Sequence, residues 1–420
     1  MEGSVKLLVC AGNRGVAGGA ETYLRSVLPR LSHLGFRLAF VFEKDATGTP
    51  SIDEGVALEK TFQLTSENRD SVLAAIDGWR PNVVFNNGMY DADCEMQLTR
   101  YPVVYFAHNY VGTCLNGFKR HAWPTPEPCY RTLGLACLAY YIPRRCGGLS
   151  PLPLVKNYLS ARRQQAMLRA CRKLQVASEA MRAEYLRHGF AHDKIVLNPL
   201  FPAGSHPDPS RPQPRAMSGL VLLAGRLTQI KGGEYLVKAM ALARQKVHGD
   251  CQLQLAVAGE GPELAHLRAL AEKLAVPAHF HGWLTADALK TLMRKSDLLA
   301  MPSLWPEPFG LLGPEAGCVG LPSVGYAHGG IPDWLVEGKS GTLAPSPPTV
   351  EGLAEAIVRA LSNADRHHDL RVGAWEMAQR FSADRHMDQL DSVLRSAADM
   401  TSINESDTLV ALPGQASAVL

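Results

Sequence analysis

The chain has 420 residues, 46% of them hydrophobic and 20% charged, with a formal net charge of +3. That length exceeds what one hydrophobic core usually serves and points to two domains, while the composition excludes a disordered, collagenous or disulfide-stapled chain. No window approaches the roughly 18 apolar residues of a membrane span; the longest candidate, 133–142, is too short and runs into Pro143, Arg144 and Arg145.

From the N-terminus, residues 5–10 are a short apolar run that leads into a glycine-rich stretch, 11–20, and then into a helical pattern over 21–34. Further strands are expected at 38–42, 83–86 and 103–107, and helices at 72–79, 162–171 and 179–188. Strands separated by helices are the signature of βαβ units and a parallel sheet. The stretch 199–214 breaks the pattern with six prolines, Gly204 and two serines, as a linker between domains does. The alternation restarts with strand 220–224, loop 225–233, helix 234–244, strand 253–258, loop 259–262 and helix 263–274. Strands at 279–281, 298–301 and 323–326 and helices at 286–295, 315–319 and 350–362 follow.

The expected fold class is therefore α/β, with two Rossmann-like domains facing a central cleft. The N-terminal domain spans 1–200, a proline-rich linker 201–214 and the C-terminal domain 215–380. A helix over 381–400 is expected to pack back towards the N-terminal domain, and 401–420 to form a disordered tail. In open α/β sheets ligands sit at the carboxyl ends of the strands, so both cleft walls are loops that follow strands.

Charge is uneven. Residues 101–200 carry 14 Lys/Arg against 4 Asp/Glu, a net of +10 that leaves −7 for the rest. Such a half-domain suits an acidic partner (phosphate, anionic lipid or nucleic acid) or is a solvated arginine-rich face. Nine cysteines without a regular framework and no leader-like opening fit a cytoplasmic chain, with association at the inner face of the cell membrane left open.

The strongest motif is Gly225-Arg226-Leu227-Thr228-Gln229-Ile230-Lys231-Gly232-Gly233, between a strand and a helix. Glycines let the backbone turn, the helix N-terminus presents amides, and two cations flank the loop; together these suit a diphosphate. Arginine forks onto two oxygens, while lysine acts as a point charge. A second constellation, Trp305-Pro306-Glu307-Pro308-Phe309-Gly310-Leu311-Leu312-Gly313-Pro314-Glu315, brackets a turn with two carboxylates. Glu315, at a helix start, suits a vicinal diol such as ribose. Glu307 and the amides of Phe309, Gly310 and Leu311 suit sugar hydroxyls. The alternative is a Glu that serves the helix dipole beside one exposed Glu.

This pairing resembles the donor half of the retaining family 4 glycosyltransferases, which have the GT-B fold, across most of residues 218–345. The resemblance implies that Arg226 and Lys231 neutralise the diphosphate, Glu315 holds the ribose and Glu307 the donor sugar. Gly225, Glu260 in Gly259-Glu260-Gly261-Pro262, and Gly329-Gly330-Ile331-Pro332 fall where that family has loops beside the donor. Asp333 stands where the family usually has Glu, and Gly313-Pro314 replaces a bulkier pair. More loosely, Gly18 and Gly19 before Glu21 resemble the loop that approaches the donor phosphate. His108 resembles the histidine that faces the transferred sugar. The resemblance implies a metal-independent transfer from a nucleoside-diphosphate sugar to a lipid-linked or saccharide acceptor, in surface polysaccharide or glycolipid assembly. It implies no cofactor and no nucleic acid partner.

Alternatives remain at this stage. A sugar-nucleotide epimerase of the same fold, or a non-catalytic nucleotide-sugar-binding subunit, would carry the same donor motifs. No Gly-x-Gly-x-x-Gly stands in register after the first strand, which disfavours a dinucleotide dehydrogenase. Asp91-Ala92-Asp93 offers a metal reading, as do Cys114, Cys129, Cys137 and Cys146, although no tight Cys-x-x-Cys pair supports zinc. The basic, aromatic stretch 116–163, with Phe118, Lys119, Arg120, Trp123, Arg144 and Arg145, is the expected meeting place for a lipid-linked or phosphorylated acceptor at an anionic membrane.

Overall fold

The computed structural model describes residues 4–16, 18–45, 49–147, 150, 152–247 and 252–407. The N-terminal half runs β1 (Lys6–Asn13), α1 (Gly19–His33), β2 (Arg37–Lys44), β3 (Lys60–Gln63), α2 (Arg69–Trp79), β4 (Val83–Asn86), α3 (Ala92–Leu98) and β5 (Val103–Ala107). It continues through β6 (Arg120–His121), β7 (Glu127–Pro128), α4 (Ala136–Tyr141), α5 (Leu152–Ala170), β8 (Lys173–Val176), α6 (Glu179–Arg187) and β9 (Ile195–Leu197). The C-terminal half runs β10 (Leu220–Ala224), α7 (Gly233–Ala243), β11 (Gln254–Ala258), α8 (Leu264–Lys273), β12 (Ala278–Gly282), α9 (Ala286–Lys295) and β13 (Leu298–Met301). Then come α10 (Leu312–Gly317), β14 (Ser323–Tyr326), β15 (Gly341–Ala344), α11 (Val350–Leu361), α12 (Ala364–Ala378) and α13 (Ala383–Asp407).

Two parallel sheets result, one with strand order β3-β2-β1-β4-β5-β8-β9 and the other β12-β11-β10-β13-β14-β15. Their central strands, such as Leu7 to Cys10 and Val221 to Leu223, are apolar on consecutive residues because helices cover both faces. In each sheet the first strand hands the chain to one side and a later strand starts the other side. The right-handed crossover rule then places helices on opposite faces, and a crevice opens at that reversal. The reversals fall between β1 and β4 and between β10 and β13.

The proline-rich stretch is strapped to the C-terminal half rather than swinging free. Asp208 pairs with Arg294 at 2.7 Å, its carbonyl accepts from Trp375 Nε1, and Arg371 donates to the Gln213 carbonyl. The helix expected over 381–400 is α13, which extends to Asp407, so residues 401–407 are helical and not tail; 408–420 lie outside the described residues. The helix expected at 162–171 begins ten residues earlier, as α5.

α13 docks on the N-terminal half through a buried relay. His386 Nδ1–H donates to the Pro199 carbonyl at 2.9 Å, which leaves Nε2 to accept the Tyr23 hydroxyl at 2.9 Å. Burial, the larger cause, together with nearby Arg30 pushes His386 down to about 4. Between pH 6.5 and 4 the unfolded chain takes up a proton that the native ring refuses, so stability is full above that window and is lost as pH falls. The wild type is expected to lose about 3 kcal/mol more than His386→Gln between pH 7 and pH 4, measured by urea denaturation.

Candidate active site

At the reversal of the second sheet, the β10–α7 and β13–α10 loops lie side by side. Leu304 N–H donates to the Ile230 carbonyl at 2.8 Å. Gly232 adopts φ +70°, and a Cβ there would sit 1.9 Å from the Pro302 carbonyl oxygen, so only glycine lets the two loops meet. The β11–α8 loop joins from the other side: Gly225 N–H bonds the Ala258 carbonyl and Leu227 N–H the Glu260 carbonyl.

This stacking brings Lys231 and Glu307, far apart in sequence, into contact, with Lys231 Nζ 2.6 Å from Glu307 Oε1. The same oxygen accepts from Ser303 Oγ at 2.5 Å and Trp305 Nε1 at 3.1 Å. Three donors hold one oxygen of a carboxylate that is almost wholly buried. Arg226 lies exposed on the same loop. Glu315, on α10, is half-buried; burial pushes its carboxyl up to about 7, and no donor among the described residues reaches it. Phe309 is a core residue whose ring packs on Phe381, while its carbonyl accepts from Trp334 Nε1 at 2.7 Å. The Phe309, Gly310 and Leu311 N–H groups meet no acceptor among the described residues.

The opposite wall is the reversal of the first sheet. Gly18 is the residue before α1 and Gly19 opens that helix; a Cβ on Gly19 would meet nothing within 4 Å. Ala17 lies outside the described residues. Glu21 Oε1 accepts from Asn13 Nδ2 at 2.8 Å. His108 follows β5, with Nε2 3.0 Å from Asn87 Oδ1 and its ring against Phe106 and Tyr23. Burial, with a smaller push from His386, takes His108 down to about 3, so the ring is neutral at ordinary pH. A cavity of about 500 Å³ opens here, lined by residues of the N-terminal half that include His108 and Glu21.

The two walls touch. Trp305 packs edge-on against Tyr110 and Phe118, at 6.4 and 5.5 Å between ring centres. Tyr110 lies two residues past His108, and Trp305 two before Glu307. Asp333 Oδ2 accepts from Glu179 N–H at 2.7 Å, across from one lobe to the N-terminus of α6 in the other.

Residues 208–376 match the model of the family described as glycosyl transferases group 1. That match takes in most of the C-terminal half. The chain is 32% identical over 194 residues to a D-inositol 3-phosphate glycosyltransferase of Jonesia denitrificans, covering 44% of this chain and 45% of that one. It is 30% identical over 184 residues to a GDP-mannose-dependent alpha-(1-6)-phosphatidylinositol monomannoside mannosyltransferase of Mycobacterium tuberculosis, covering 39% and 47%. The matched region thus spans about half the length of these relatives. Among solved structures, Anabaena Alr3699/HepE in complex with UDP superposes with a TM-score of 0.67 at 18% identity, covering 93% of this chain and 100% of that one. WaaG, a glycosyltransferase involved in lipopolysaccharide biosynthesis, gives 0.64 at 17% identity, covering 92% and 99%. The fold is GT-B.

The expected donor residues of the C-terminal half lie on the β10, β11 and β13 loops and on α10, and the Lys231–Glu307 pair joins two side chains that the sequence assigned to separate parts of the donor. The cavity is lined by none of Arg226, Lys231, Glu307 and Glu315. It lies in the facing wall, on Asn13 at the end of β1 and on asparagines that follow β4 and β5, none of them singled out from the sequence; polar residues at the ends of apolar strands were the available signal. Glu260 is exposed and touches the site through its backbone. Asp91 caps α3, accepting from Asp93 and Cys94 N–H groups, and pairs with Arg69, so the Asp-x-Asp sequence is a helix start. Cys114, Cys129, Cys137 and Cys146 are free, and no group of three or more His, Cys, Asp or Glu among the described residues is arranged to hold a metal ion.

Proposed function

We propose that the chain is a retaining, metal-independent glycosyltransferase of the family 4 type, which moves a hexosyl group from a nucleoside-diphosphate sugar to a hydroxyl. The observation that carries the reading is the Lys231–Glu307 contact at the second sheet's reversal, on the loop whose Trp305 meets Tyr110 of the His108 wall. Arg226 and Lys231 meet the diphosphate, and the unpartnered Glu315 carboxylate accepts the ribose hydroxyls. Gly18, Gly19 and Gly225 leave room for phosphate oxygens to approach backbone. Glu307, held by three donors through Oε1, has its other oxygen for the donor sugar, together with the amides of Phe309, Gly310 and Leu311. Neutral His108, oriented by Asn87, hydrogen-bonds the transferred sugar without adding charge.

In the reaction the bond from the anomeric carbon to the diphosphate oxygen breaks and a bond to the acceptor oxygen forms on the same face. The acceptor proton passes to the departing diphosphate. Positive charge develops on the sugar and negative charge on the leaving group, and cations already fixed beside the latter stabilise it without the reorganisation water needs. The Trp305–Tyr110–Phe118 contact closes the cleft with apolar surface and limits hydrolysis.

The test is a panel of UDP- and GDP-sugars. The correct donor at one hundred times its Kd should stabilise the protein by about 2.7 kcal/mol. With EDTA present it should give a product with retained anomeric configuration by NMR. A panel without stabilisation sinks the reading, and activity lost to EDTA removes metal independence.

A role in polysaccharide or glycolipid assembly at the membrane is supported by exposed apolar side chains that cluster on one stretch: Phe118, Trp123, Tyr130, Leu135, Ile142, Val155 and Leu159. Arg162 and Arg163 are exposed beside them on α5. No helix among the described residues is long and apolar enough to cross a membrane. Co-sedimentation with phosphatidylglycerol vesicles, expected at low salt and weakened at high salt, checks this contact.

A further inference from the structure

We infer that the cavity beside His108 receives an uncharged, hydroxyl-rich ring, a sugar or cyclitol without phosphate, as the acceptor. Its assignment as acceptor rests on the transferase reading above; the chemistry of the cavity does not.

The lining is made of amides. Asn13, Asn87, Asn109, Asn116, Asn157 and Gln164 face a volume of about 500 Å³, well within the range of small-molecule sites. Each amide offers a donor and an acceptor, and so does each hydroxyl of a sugar ring, so the two sets match without formal charge. Asn87 is 8% exposed, and its Oδ1 faces His108 Nε2. Its Nδ2 donates to nothing among the described residues. A buried amide left without an acceptor is destabilising, and a ligand oxygen in the cavity removes that cost.

Charge excludes phosphate. The carboxylates of Glu21 and Glu95 line the cavity, and none of its described lining residues is Lys or Arg. Glu95 accepts from Asn86 Nδ2 and Met89 N–H, and burial pushes its carboxyl up to about 7. Arg14 pairs with Asp53 at 2.9 Å. Lys44 sits 4.2 Å from the Tyr90 ring centre but does not line the cavity. Three cations of the basic stretch, where a phosphorylated acceptor was expected, are engaged elsewhere: Lys119 with Glu184 at 2.7 Å, Arg144 with Glu127, and Arg145 over the Trp123 ring at 4.5 Å. A phosphate in this cavity would lose its water and meet two acids.

α5 supplies one wall by its helical period. Asn157, Ser160, Ala161 and Gln164 fall on one stripe and line the cavity. The exposed Val155 and Leu159 stand on the opposite face of the helix, away from the cavity.

Calorimetry on the full chain tests this. Myo-inositol, methyl α-D-mannoside and octyl β-D-glucoside below its micellar concentration are set against myo-inositol 1-phosphate, mannose 6-phosphate and glucose 1-phosphate, with UDP and GDP titrated separately. At least one uncharged ring should bind about tenfold tighter than its phosphorylated counterpart. Gln164→Lys and Asn157→Lys, both half-buried on the cavity face of α5, should each narrow that ratio by a similar factor. Phosphorylated rings that bind as tightly as uncharged ones overturn the inference, as does failure of every uncharged ring to bind. If UDP and GDP bind while the ring preference fails, the donor reading stands alone; if the ring preference holds while neither nucleotide binds, the donor reading is the one that falls.

Discussion

Replacing Lys231 by alanine should lower kcat by about 10²–10³, the equivalent of roughly 3–4 kcal/mol, by analogy with the removal of one preorganised donor from an oxyanion site. The charge that develops on a departing diphosphate is largest in the transition state, so the loss should fall on kcat more than on KM for the donor. Arg226 remains and is not a replacement, because it stands five residues away at the exposed start of the loop. The substitution also strips Glu307 of its cation. Ser303 and Trp305 still donate to Oε1, so the carboxylate keeps two of its three donors and the domain should remain folded. Steady-state kinetics with circular dichroism as a folding control separates the two effects. Unchanged turnover in a folded variant would remove the diphosphate role.

The second large effect is structural. Gly259→Ala places a Cβ 1.9 Å from the Gly225 carbonyl oxygen at φ +148°, where neither atom can retreat because both belong to backbone. Strain and overpacking together should cost about 3 kcal/mol or more and separate the β11 loop from the β10 loop. Gly225→Ala is the control. That residue has φ +111° but open space around it, so it isolates the backbone penalty, about 1–2 kcal/mol. Equal losses in chemical denaturation of the two variants would show that the close approach of the loops contributes nothing.

Much of the fold was legible in periodicity. β10, β13 and β14 lie at the residues the sequence indicated, since apolar runs bounded by glycine and proline leave little freedom in a parallel sheet. Elements whose apolar pattern is weak were missed. β15, with Gly341 and Thr342, and α12, with charged residues through its first turns, carry little signal, yet packing buries both. The start of α5 was hidden because its exposed stripe carries Val155 and Leu159, which blurs the polar face a surface helix usually shows.

The candidate site divides along the same line. Local chemistry in the chain determined the phosphate-type loop, the paired acids and the glycines beside them, because each depends on residues adjacent in sequence. Only the tertiary structure decided that Lys231 grips Glu307, that Trp305 meets Tyr110, and that six amides from four separate segments enclose one cavity. Such encounters depend on which strands are neighbours at a sheet reversal, and strand order is a property of the assembled core rather than of any stretch of chain.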